Sequence, residues 1–267
     1  MSKRVNARGF YEILCERMGL LKTALVAYSG GVDSTVVAKA AKDTGIKFLS
    51  VFCDSPLVPK YLKKQAKEVA RELDLPLLVI YKDELKDERF CANPKERCYI
   101  CKSGLFEILR GIASKHRLNS IAVGTNADDV NDVRPGMRAE EEYGVVRPLL
   151  ECGIGKRGVR AIARYLGLSN AGAPSEACLA SRIPFGSLIT FEKLRMVEKA
   201  EDFLRRLGFA GCRVRNHEGL ARIELRSASE FRRMGERMRS RIHNRLKRFG
   251  FEFVTLDALG YRNTTNS

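Results

Sequence analysis

Residues 23–34 read TALVAYSGGVDS, and this stretch predicts how the chain folds. The apolar run at 23–28 is typical of a buried strand, and a helical pattern follows at 33–44. Two adjacent glycines permit the backbone to approach an anion, and the N–H groups at the start of the helix point towards it. Two serines add hydroxyl donors, and an aspartate can orient Mg²⁺ or a phosphate-bound group. A glycine turn capped by Asp and Ser is the alternative interpretation.

The rest of the first half repeats this order of strand and helix. The other predicted strands are 47–53, 75–81 and 120–124, and the other predicted helices are 61–73, 105–116 and 156–166. Strands that alternate with helices of about 10–15 residues imply crossover connections. We therefore predict an α/β fold with a parallel, doubly wound, Rossmann-like sheet. Open sheets of this kind bind ligands at the carboxyl ends of their strands, which is where the glycine pair lies.

The last third of the chain has a different pattern. Residues 172–190 contain prolines and glycines and are predicted to form an ordered loop. The elements predicted after it are helix 191–207, strand 212–225, helix 227–249 with a capping box at its start, and strand 251–256. Residues 187–267 contain 18 Lys and Arg against 10 Asp and Glu. We therefore predict an α/β domain at 1–171, an active-site loop at 172–190 and a smaller, basic α+β domain at 191–267.

Composition excludes several classes of protein. The chain has 267 residues, 45% of them hydrophobic, and 48 Lys and Arg against 32 Asp and Glu, a net charge of +16. These values exclude disordered and fibrous proteins. Since the sequence has neither an apolar run of about 18 residues nor a secretory signal, we expect a cytoplasmic protein without a membrane partner. The positive charge favours an anionic partner, but phosphorylated small molecules need basic pockets as much as nucleic acids do.

Eight cysteines in a cytoplasmic chain of this length are not a disulfide framework. Only Cys98 and Cys101 are closely spaced, with basic residues on both sides that favour thiolates. Cys178 stands four residues before Arg182 in the predicted loop, like a thiol beside an anion site. Cys98, Cys101 and Cys178 can hold a 4Fe–4S cluster with one iron left open, whereas Cys91 as a fourth ligand would suit a closed zinc site. An inert buried pair is the alternative, and a thioredoxin-type pair is disfavoured because no helix is predicted to begin at the motif.

Two other polar clusters are candidate binding sites. Residues 128–136 read DDVNDVRPG and follow the last predicted strand of the sheet. Its carboxylates, Asp132 among them, can hold Mg²⁺, and Arg134 can meet a phosphate or a carboxylate. Alternation along a strand places Arg213 and Arg215 on one face, and two guanidinium groups on one face suit phosphate binding. A polar loop and a solvated strand face are the alternatives.

The hexapeptide SGGVDS resembles the PP-loop of the N-type ATP pyrophosphatases, which hold the pyrophosphate of ATP while a substrate is adenylylated. It lacks the Gly-Lys-Ser/Thr ending of a Walker loop, which favours cleavage at the α-phosphate. Six segments in order make nearly the whole chain resemble the LarE family of ATP-dependent sulfur transferases. They are SGGVDS, DVNDVRPG, SRIPFG, AEDFLRRLGF, VRNHEGLARIE and VTLDALGYR.

The resemblance implies adenylylation of a carboxylate on a pyridinium mononucleotide, then sulfur transfer to form a thiocarboxylate, a precursor of the nickel-pincer nucleotide cofactor. It implies ATP, Mg²⁺ and a sulfide or other sulfur donor, and we expect a homo-oligomer without a nucleic-acid partner. The expected catalytic residues are Cys178, Asp33 and Glu201. The expected ATP-binding residues are Ser29, Gly30, Gly31, Asp33, Ser34 and Gly124. The expected substrate-binding residues are Arg182, Arg213, Arg215, Asp132 and Arg134, and the expected cluster ligands are Cys98, Cys101 and Cys178.

The sequence departs from one branch of that family, in which a single cysteine gives up its sulfur. In that branch the cysteine stands one residue further from the Ser-Arg segment, and other residues replace the Cys-x-x-Cys pair. Cys178 is closer to Arg182, and both other cysteines are present, which favours a cluster with an extra sulfide on its open iron. Sacrifice of Cys178 is one alternative. Others are a tRNA thiolase with a PP-loop and three cysteines, an ammonia-dependent synthetase, and a basic nucleic-acid-binding protein with a vestigial loop.

Overall fold

A computed structural model describes residues 6–131, 135–174 and 176–261, which group into two compact units. The first unit comprises Met1–Lys82 and Cys98–Glu176, and the second comprises Asp83–Arg97 and Ala177–Ser267. Each unit is thus built from two separate stretches of chain. The functional division at residues 171 and 190 stays a prediction, and the structure adds that Asp83–Arg97 packs with the second unit.

Helices and strands alternate through the first unit. In chain order the helices and strands of the described residues are α1 (Ala7–Gly19), β1 (Thr23–Ala27), α2 (Val32–Asp43), β2 (Lys47–Asp54), α3 (Lys60–Glu72), β3 (Leu77–Tyr81), α4 (Glu88–Cys91), α5 (Arg97–His116), β4 (Ser120–Ala122), α6 (Pro135–Glu142), α7 (Pro148–Glu151), α8 (Lys156–Tyr165), α9 (Phe191–Arg206), β5 (Arg213–His217), β6 (Leu220–Glu224), α10 (Ala228–Arg233), α11 (Glu236–Arg248) and β7 (Phe253–Leu256). Short 3-10 turns occupy Glu84–Lys86, Ala127–Asn131 and Leu179–Arg182.

The first unit contains a parallel sheet with the strand order β3-β2-β1-β4. β1 pairs with β2 on one side and with β4 on the other, so that Val26 lies opposite both Ser50 and Ala122. Parallel neighbours need crossover connections, and helices supply them. The predicted α/β fold with a parallel sheet is confirmed. In the described part of the chain, no helix is both long and apolar enough to cross a membrane.

Alternate residues of β1 pack into two hydrophobic cores, one on each face of the sheet. Ala24 and Val26 belong to a core with residues of α1, α2 and α8, whereas Leu25 belongs to a core with residues of α5 and α6. All three side chains are fully buried. Side chains of a strand point alternately to opposite faces, so a continuous apolar run is what a sheet covered on both faces requires.

The second unit contains a smaller mixed sheet with the order β5-β6-β7. β5 and β6 form an antiparallel hairpin, and β7 lies parallel to β6. The prediction of one strand over 212–225 is therefore wrong, because the chain turns back at Glu218 and Gly219. Both residues have positive φ angles, +48° and +92°, as a two-residue hairpin turn requires.

Three further predictions about helices need correction. The predicted helix 227–249 is interrupted at Met234, which is buried, and Gly235 is the N-cap of α11. Only half of the capping box at its start forms: Ser227 Oγ accepts a hydrogen bond from the N–H group of Glu230, but the Glu230 carboxylate accepts from the N–H group of Arg226 instead of that of Ser227. α5 begins at Arg97 rather than at residue 105, so a helix does begin at the Cys-x-x-Cys motif. α1 was missed.

Candidate active site

The glycine-rich loop lies between the carboxyl end of β1 and the first turn of α2. Gly30 has a φ of +76°, and a Cβ atom there would come within 2.3 Å of the Ala66 Cβ atom, so only glycine fits. A Cβ atom on Gly124, just beyond β4, would come within 2.8 Å of the backbone nitrogen of Ser34. Two neighbouring strand ends thus meet at the start of α2, whose N-cap is Gly31. The N–H groups of such a helical turn are able to bind an anion.

Hydroxyl groups within the loop hold its shape. Ser34 Oγ accepts a hydrogen bond from the N–H group of Ser29 at 3.1 Å and donates one to the carbonyl oxygen of Gly31 at 3.0 Å. Ser29 Oγ accepts from the N–H group of Gly31 at 3.3 Å. Ser29 Oγ also lies 3.1 Å from Ser34 Oγ, and because Ser34 gives its single proton to Gly31, Ser29 is the donor in this bond. Both hydroxyl protons are therefore used inside the loop.

Asn170 supports the loop from a distant part of the chain. Its side chain is almost completely buried and donates to the carbonyl oxygen of Gly30 at 3.1 Å and to Thr35 Oγ1 at 2.9 Å. A buried amide that bonds a loop carbonyl fixes the peptide plane of that loop. Sequence reasoning missed Asn170, because no local motif marks a residue 140 positions from its partner.

Asp33 lies in the first turn of α2 and forms an ion pair with Lys156 at the start of α8. Its other carboxylate oxygen, Oδ1, is buried and has no hydrogen-bond partner among the described residues. A buried carboxylate oxygen without a partner is costly, and a cation or a donor on a ligand would satisfy it. Lys156 is a second functional candidate that the sequence did not reveal, since its role depends on where α8 packs.

The acidic segment after β4 supports α8. Asp128 Oδ2 accepts a hydrogen bond from the N–H group of Lys156 at 2.6 Å, and Asp129 Oδ2 accepts one from the N–H group of Asn126 at 3.0 Å. Both carboxylates thus accept from backbone N–H groups, Asp129 within its own segment and Asp128 at the start of α8. The predicted substrate-binding residues Asp132 and Arg134 lie outside the described residues.

Cys98 and Cys101 lie within the first five residues of α5, three residues apart and thus on the same side of the helix. Cys98 is exposed and Cys101 is half-buried. The carbonyl oxygen of Cys101 accepts a hydrogen bond from Lys82 Nζ at 3.2 Å. Lys102, expected to favour a thiolate, instead forms an ion pair with Glu140, whose side chain is 1% exposed. The charge of Lys102 is therefore balanced mainly by that carboxylate.

Cys178 precedes the 3-10 turn Leu179–Arg182 and is half-buried. Arg182 is 1% exposed and forms two parallel bonds to Glu201, Nε to Oε1 at 2.9 Å and Nη2 to Oε2 at 3.0 Å. Its Nη1 donates to the carbonyl oxygens of Ala177 and Cys178 at 2.7 and 3.0 Å. Arg182 therefore holds the backbone around Cys178, and its proposed role in binding substrate stays a prediction. Glu201 also accepts a bond from the N–H group of Val214 at 3.0 Å.

The two arginines of β5 differ in exposure. Arg213 is 5% exposed, and its guanidinium group lies 5.2 Å from the ring centre of Tyr261. Arg215 is half-buried; its Nε donates to Glu224 Oε1 at 2.7 Å and its Nη1 to the carbonyl oxygen of Ser181 at 2.9 Å. Of the two, Arg215 is the better placed to reach a ligand, and its bond to Ser181 ties it to the turn that follows Cys178.

Cys91 is poorly suited to be the fourth ligand of a zinc site. Its Sγ donates to the carbonyl oxygen of Leu85 at 3.3 Å, and burial raises the pKa of its thiol. A metal ligand must be a thiolate, which both effects disfavour. Within residues 6–131, 135–174 and 176–261, no three His, Cys, Asp or Glu side chains come together as a metal site.

Comparison with known proteins gives several relatives, although no protein-family model matches. The chain is 40% identical over 263 residues to an uncharacterized protein of Synechocystis sp., covering 98% of this chain and 95% of that protein. It is 35% identical over 246 residues to the pyridinium-3,5-bisthiocarboxylic acid mononucleotide synthase of Lactiplantibacillus plantarum, covering 91% of this chain and 88% of that protein. A probable tRNA sulfurtransferase of Methanobrevibacter smithii is 26% identical over 161 residues, 56% of this chain and 42% of that protein.

The similarity to the synthase extends through both units, whereas the similarity to the tRNA sulfurtransferase covers little more than half of the chain. The geometry at the end of β1 suits a phosphorylated ligand that is accompanied by a cation, because it provides a helix N-terminus and a carboxylate oxygen without a partner. The chain is thus an ATP-dependent sulfur-transferring enzyme of the PP-loop superfamily, and it belongs to the LarE family.

Proposed function

We propose that this enzyme converts a carboxylate of pyridinium-3,5-biscarboxylic acid mononucleotide into a thiocarboxylate, as a step in the synthesis of the nickel-pincer nucleotide cofactor. The relative from Lactiplantibacillus plantarum is named as the synthase of the bisthiocarboxylic acid mononucleotide. The structural observation that supports the proposal best is the loop at the end of β1. There, a glycine-dependent close approach, the start of a helix and an unpartnered oxygen of Asp33 occur together.

The first step is adenylylation. An oxygen of the substrate carboxylate attacks the α-phosphorus of ATP, the bond from that phosphorus to the β-phosphate bridge breaks, and pyrophosphate leaves. The N–H groups at the start of α2 balance the charge of the departing pyrophosphate. Asp33 would orient the Mg²⁺ that accompanies ATP, and Lys156, its partner at the start of α8, would neutralise phosphate charge.

The second step is sulfur transfer. A hydrosulfide ion attacks the carbonyl carbon of the acyl-adenylate, the bond from that carbon to the AMP oxygen breaks, and AMP and a proton are released. The product is the thiocarboxylate. External sulfide supplies the sulfur atom, whose oxidation state does not change, so this step needs no oxidant or reductant. In the second unit, Arg215 and Arg213 would bind the phosphate of the mononucleotide, and Arg182 with Glu201 would hold the segment of Cys178.

We further propose that Cys98, Cys101 and Cys178 bind a 4Fe–4S cluster. Cys98 and Cys101 suit this role because they share one side of a helix, and none of the three thiols is fully buried. Cys91 and Cys212 fit less well, because burial raises the pKa of each thiol. When bound by three cysteines, a cluster supplies one iron with an open position for external sulfide. We place the activity in a cytoplasmic homo-oligomer, with ATP bound by 1–171 and substrate phosphate by 191–267.

The test is anaerobic turnover of the reconstituted enzyme with ATP, the biscarboxylic acid mononucleotide and sulfide, followed by mass spectrometry. We expect AMP, pyrophosphate and a product in which sulfur replaces oxygen. ADP and phosphate in place of AMP and pyrophosphate would contradict the adenylylation step. Failure to thiolate the mononucleotide while tRNA is thiolated would contradict the proposed substrate.

The source of sulfur is tested on the same samples. With a cluster, turnover continues for many cycles, and Cys178 keeps its mass. With a sacrificial cysteine, each chain reacts once, and Cys178 becomes dehydroalanine with a loss of about 34 Da, the mass of H₂S. Iron-free, colourless protein after anaerobic reconstitution, or that mass loss, excludes the cluster proposal.

A further inference from the structure

Asn93 is a completely buried polar residue outside the groups assigned above. Its backbone has a φ of +56°, in the left-handed region that asparagine tolerates better than most residues. Its Nδ2 lies 3.3 Å from the carbonyl oxygen of Ile183, 2.6 Å from that of Pro184 and 3.0 Å from that of Ser187. Because an amide NH₂ group has two protons, these three carbonyls share two donors. Asn93 thus binds a curved piece of backbone rather than a single group.

Arg97 extends the same arrangement. It is 7% exposed, and its Nη1 donates to Asn93 Oδ1 at 2.5 Å and to the carbonyl oxygen of Ala180 at 3.0 Å. Its guanidinium group lies 4.6 Å from the ring centre of Phe185, a cation–π contact. Asn93 and Arg97, which we call the carbonyl clamp, therefore bind the main chain of 180–187 within the second unit.

The clamped segment begins two residues after Cys178. The segment forms only a 3-10 turn and bends, so no regular helix or strand orders its carbonyl groups. Those of Ala180 and Pro184 also accept from backbone N–H groups within the segment. The clamp binds them, together with the carbonyls of Ile183 and Ser187, through side chains that are themselves rigid because both are buried. Arg97 also directly precedes Cys98 in the chain, so one arginine is bonded to the Cys178 segment and is adjacent to the Cys-x-x-Cys pair.

We propose that Asn93 and Arg97 are positioning residues for the sulfur-transfer step. They hold Cys178 in one orientation and take no part in adenylylation, which the glycine-rich loop of the first unit performs. This inference deepens the proposed function and rests on it. It gives Asp83–Arg97 a role that neither its sequence nor its position between β3 and α5 suggests.

The variant that tests the clamp is Asn93→Gly, because glycine keeps the left-handed backbone while all the side-chain bonds are lost. The matched control is Arg117→Gly, at an exposed residue with the same φ of +56° just beyond α5. Cluster-free, reduced protein is treated with iodoacetamide, and peptide mass spectrometry follows Cys178. The loss of one hydrogen bond changes the equilibrium for local opening of the Cys178 segment about tenfold. We therefore expect alkylation of Cys178 to be about tenfold faster in Asn93→Gly than in wild type. The control should match the wild type.

Cys212, 3% exposed, reports whether the second unit stays folded. It should remain unmodified in every variant. Faster alkylation of Cys212 together with Cys178 would show that Asn93 supports the whole unit, and this would overturn the proposal.

The second measurement is the ratio of thiocarboxylate to pyrophosphate in the first turnover, because pyrophosphate is released by adenylylation whereas AMP leaves only when sulfur or water cleaves the acyl-adenylate. A positioning role predicts an unchanged rate of pyrophosphate formation and a ratio reduced about tenfold or more in Asn93→Gly and in Arg97→Gln. A merely structural role would lower the rates of both products in proportion to the folded fraction and leave their ratio unchanged. An unchanged ratio, or unchanged alkylation of Cys178, overturns the inference. Wild-type enzyme that forms no thiocarboxylate would refute the proposed function, while the alkylation experiment would still decide whether the clamp positions Cys178.

Discussion

Removing Glu201 should destabilise the second unit far more than removing the acidic residue beside it. Arg182 is 1% exposed and Glu201 12% exposed, and the two are joined by two parallel hydrogen bonds. In Glu201→Ala, the guanidinium group stays buried without its counter-ion. Asp202, the next residue of α9, instead pairs with arginines that are about a third or more exposed. Asp202→Ala is therefore the matched control.

The magnitude follows from burial. Removing one partner of a buried ion pair costs about 3–5 kcal/mol, and we expect the lower end because Arg182 retains carbonyl acceptors at Ala177 and Cys178. The lost bond from the N–H group of Val214 adds about 1 kcal/mol. The expected loss for Glu201→Ala is thus about 4 kcal/mol, against about 1 kcal/mol or less for Asp202→Ala.

The measurement is urea unfolding of wild type and variants under reducing conditions, followed by circular dichroism. The double variant Arg182→Met, Glu201→Met should lose less than the sum of the two single changes, because no buried charge is left unpaired. If Glu201→Ala costs no more than Asp202→Ala, the pair does not hold the Cys178 segment, and the argument from burial is refuted.

Three further outcomes follow from the site. Asp33→Ala should abolish formation of AMP and pyrophosphate and leave the circular dichroism spectrum intact, because the carboxylate proposed to orient Mg²⁺ is lost; normal AMP formation would contradict this role. Arg215→Ala and Arg213→Ala should each weaken binding of the mononucleotide about tenfold or more and leave ATP binding unchanged, since a charge-assisted hydrogen bond contributes about 1.5–3 kcal/mol. An equal loss of affinity for an analogue without the phosphate would exclude a role in phosphate binding. Burial and the neighbouring arginines lower the pKa of His217 below 6.5, so the folded protein releases this proton more readily than the unfolded chain does. The stability that this neutral histidine contributes is present above about pH 6.5 and is lost as the pH falls through the pKa of the folded state. The urea midpoint of wild type should therefore fall relative to that of His217→Gln between about pH 7 and pH 5. Parallel pH profiles of the two midpoints would refute this.

Much of the first unit could be predicted from local patterns. A run such as 23–28 is apolar at every position, because side chains of a parallel strand are buried on both faces, and this needs no knowledge of distant residues. The glycine-rich loop was recognisable for a similar reason: a sharp turn from strand to helix demands glycine within a few residues. The position of Gly30 and Asp33 at the carboxyl end of β1 followed directly from their order in the chain.

The hairpin of the second unit could not be predicted in the same way. Its strands have alternating charged and apolar residues on both sides of Glu218 and Gly219, so the pattern continues through the turn. Only the pairing of β5 with β6, and the positive φ angles of the turn, distinguish a hairpin from one long strand. The start of α5 was missed because its first residue, Arg97, is held by buried contacts with Asn93 and with Ala180, 83 residues away, which the local pattern does not reveal.

The tertiary structure alone decided which side chains serve the site from afar. Lys156 reaches Asp33, and Asn170 reaches Gly30, across more than a hundred residues of sequence. The structure also decided that Arg182 is buried against Glu201, although its sequence context resembles an exposed anion site. Local sequence determines the backbone conformation and which residues of an element share a face. The hydrogen-bond partner of a long polar side chain depends instead on how separate elements pack. A buried charged group can bond only to the few acceptors that this packing brings within reach.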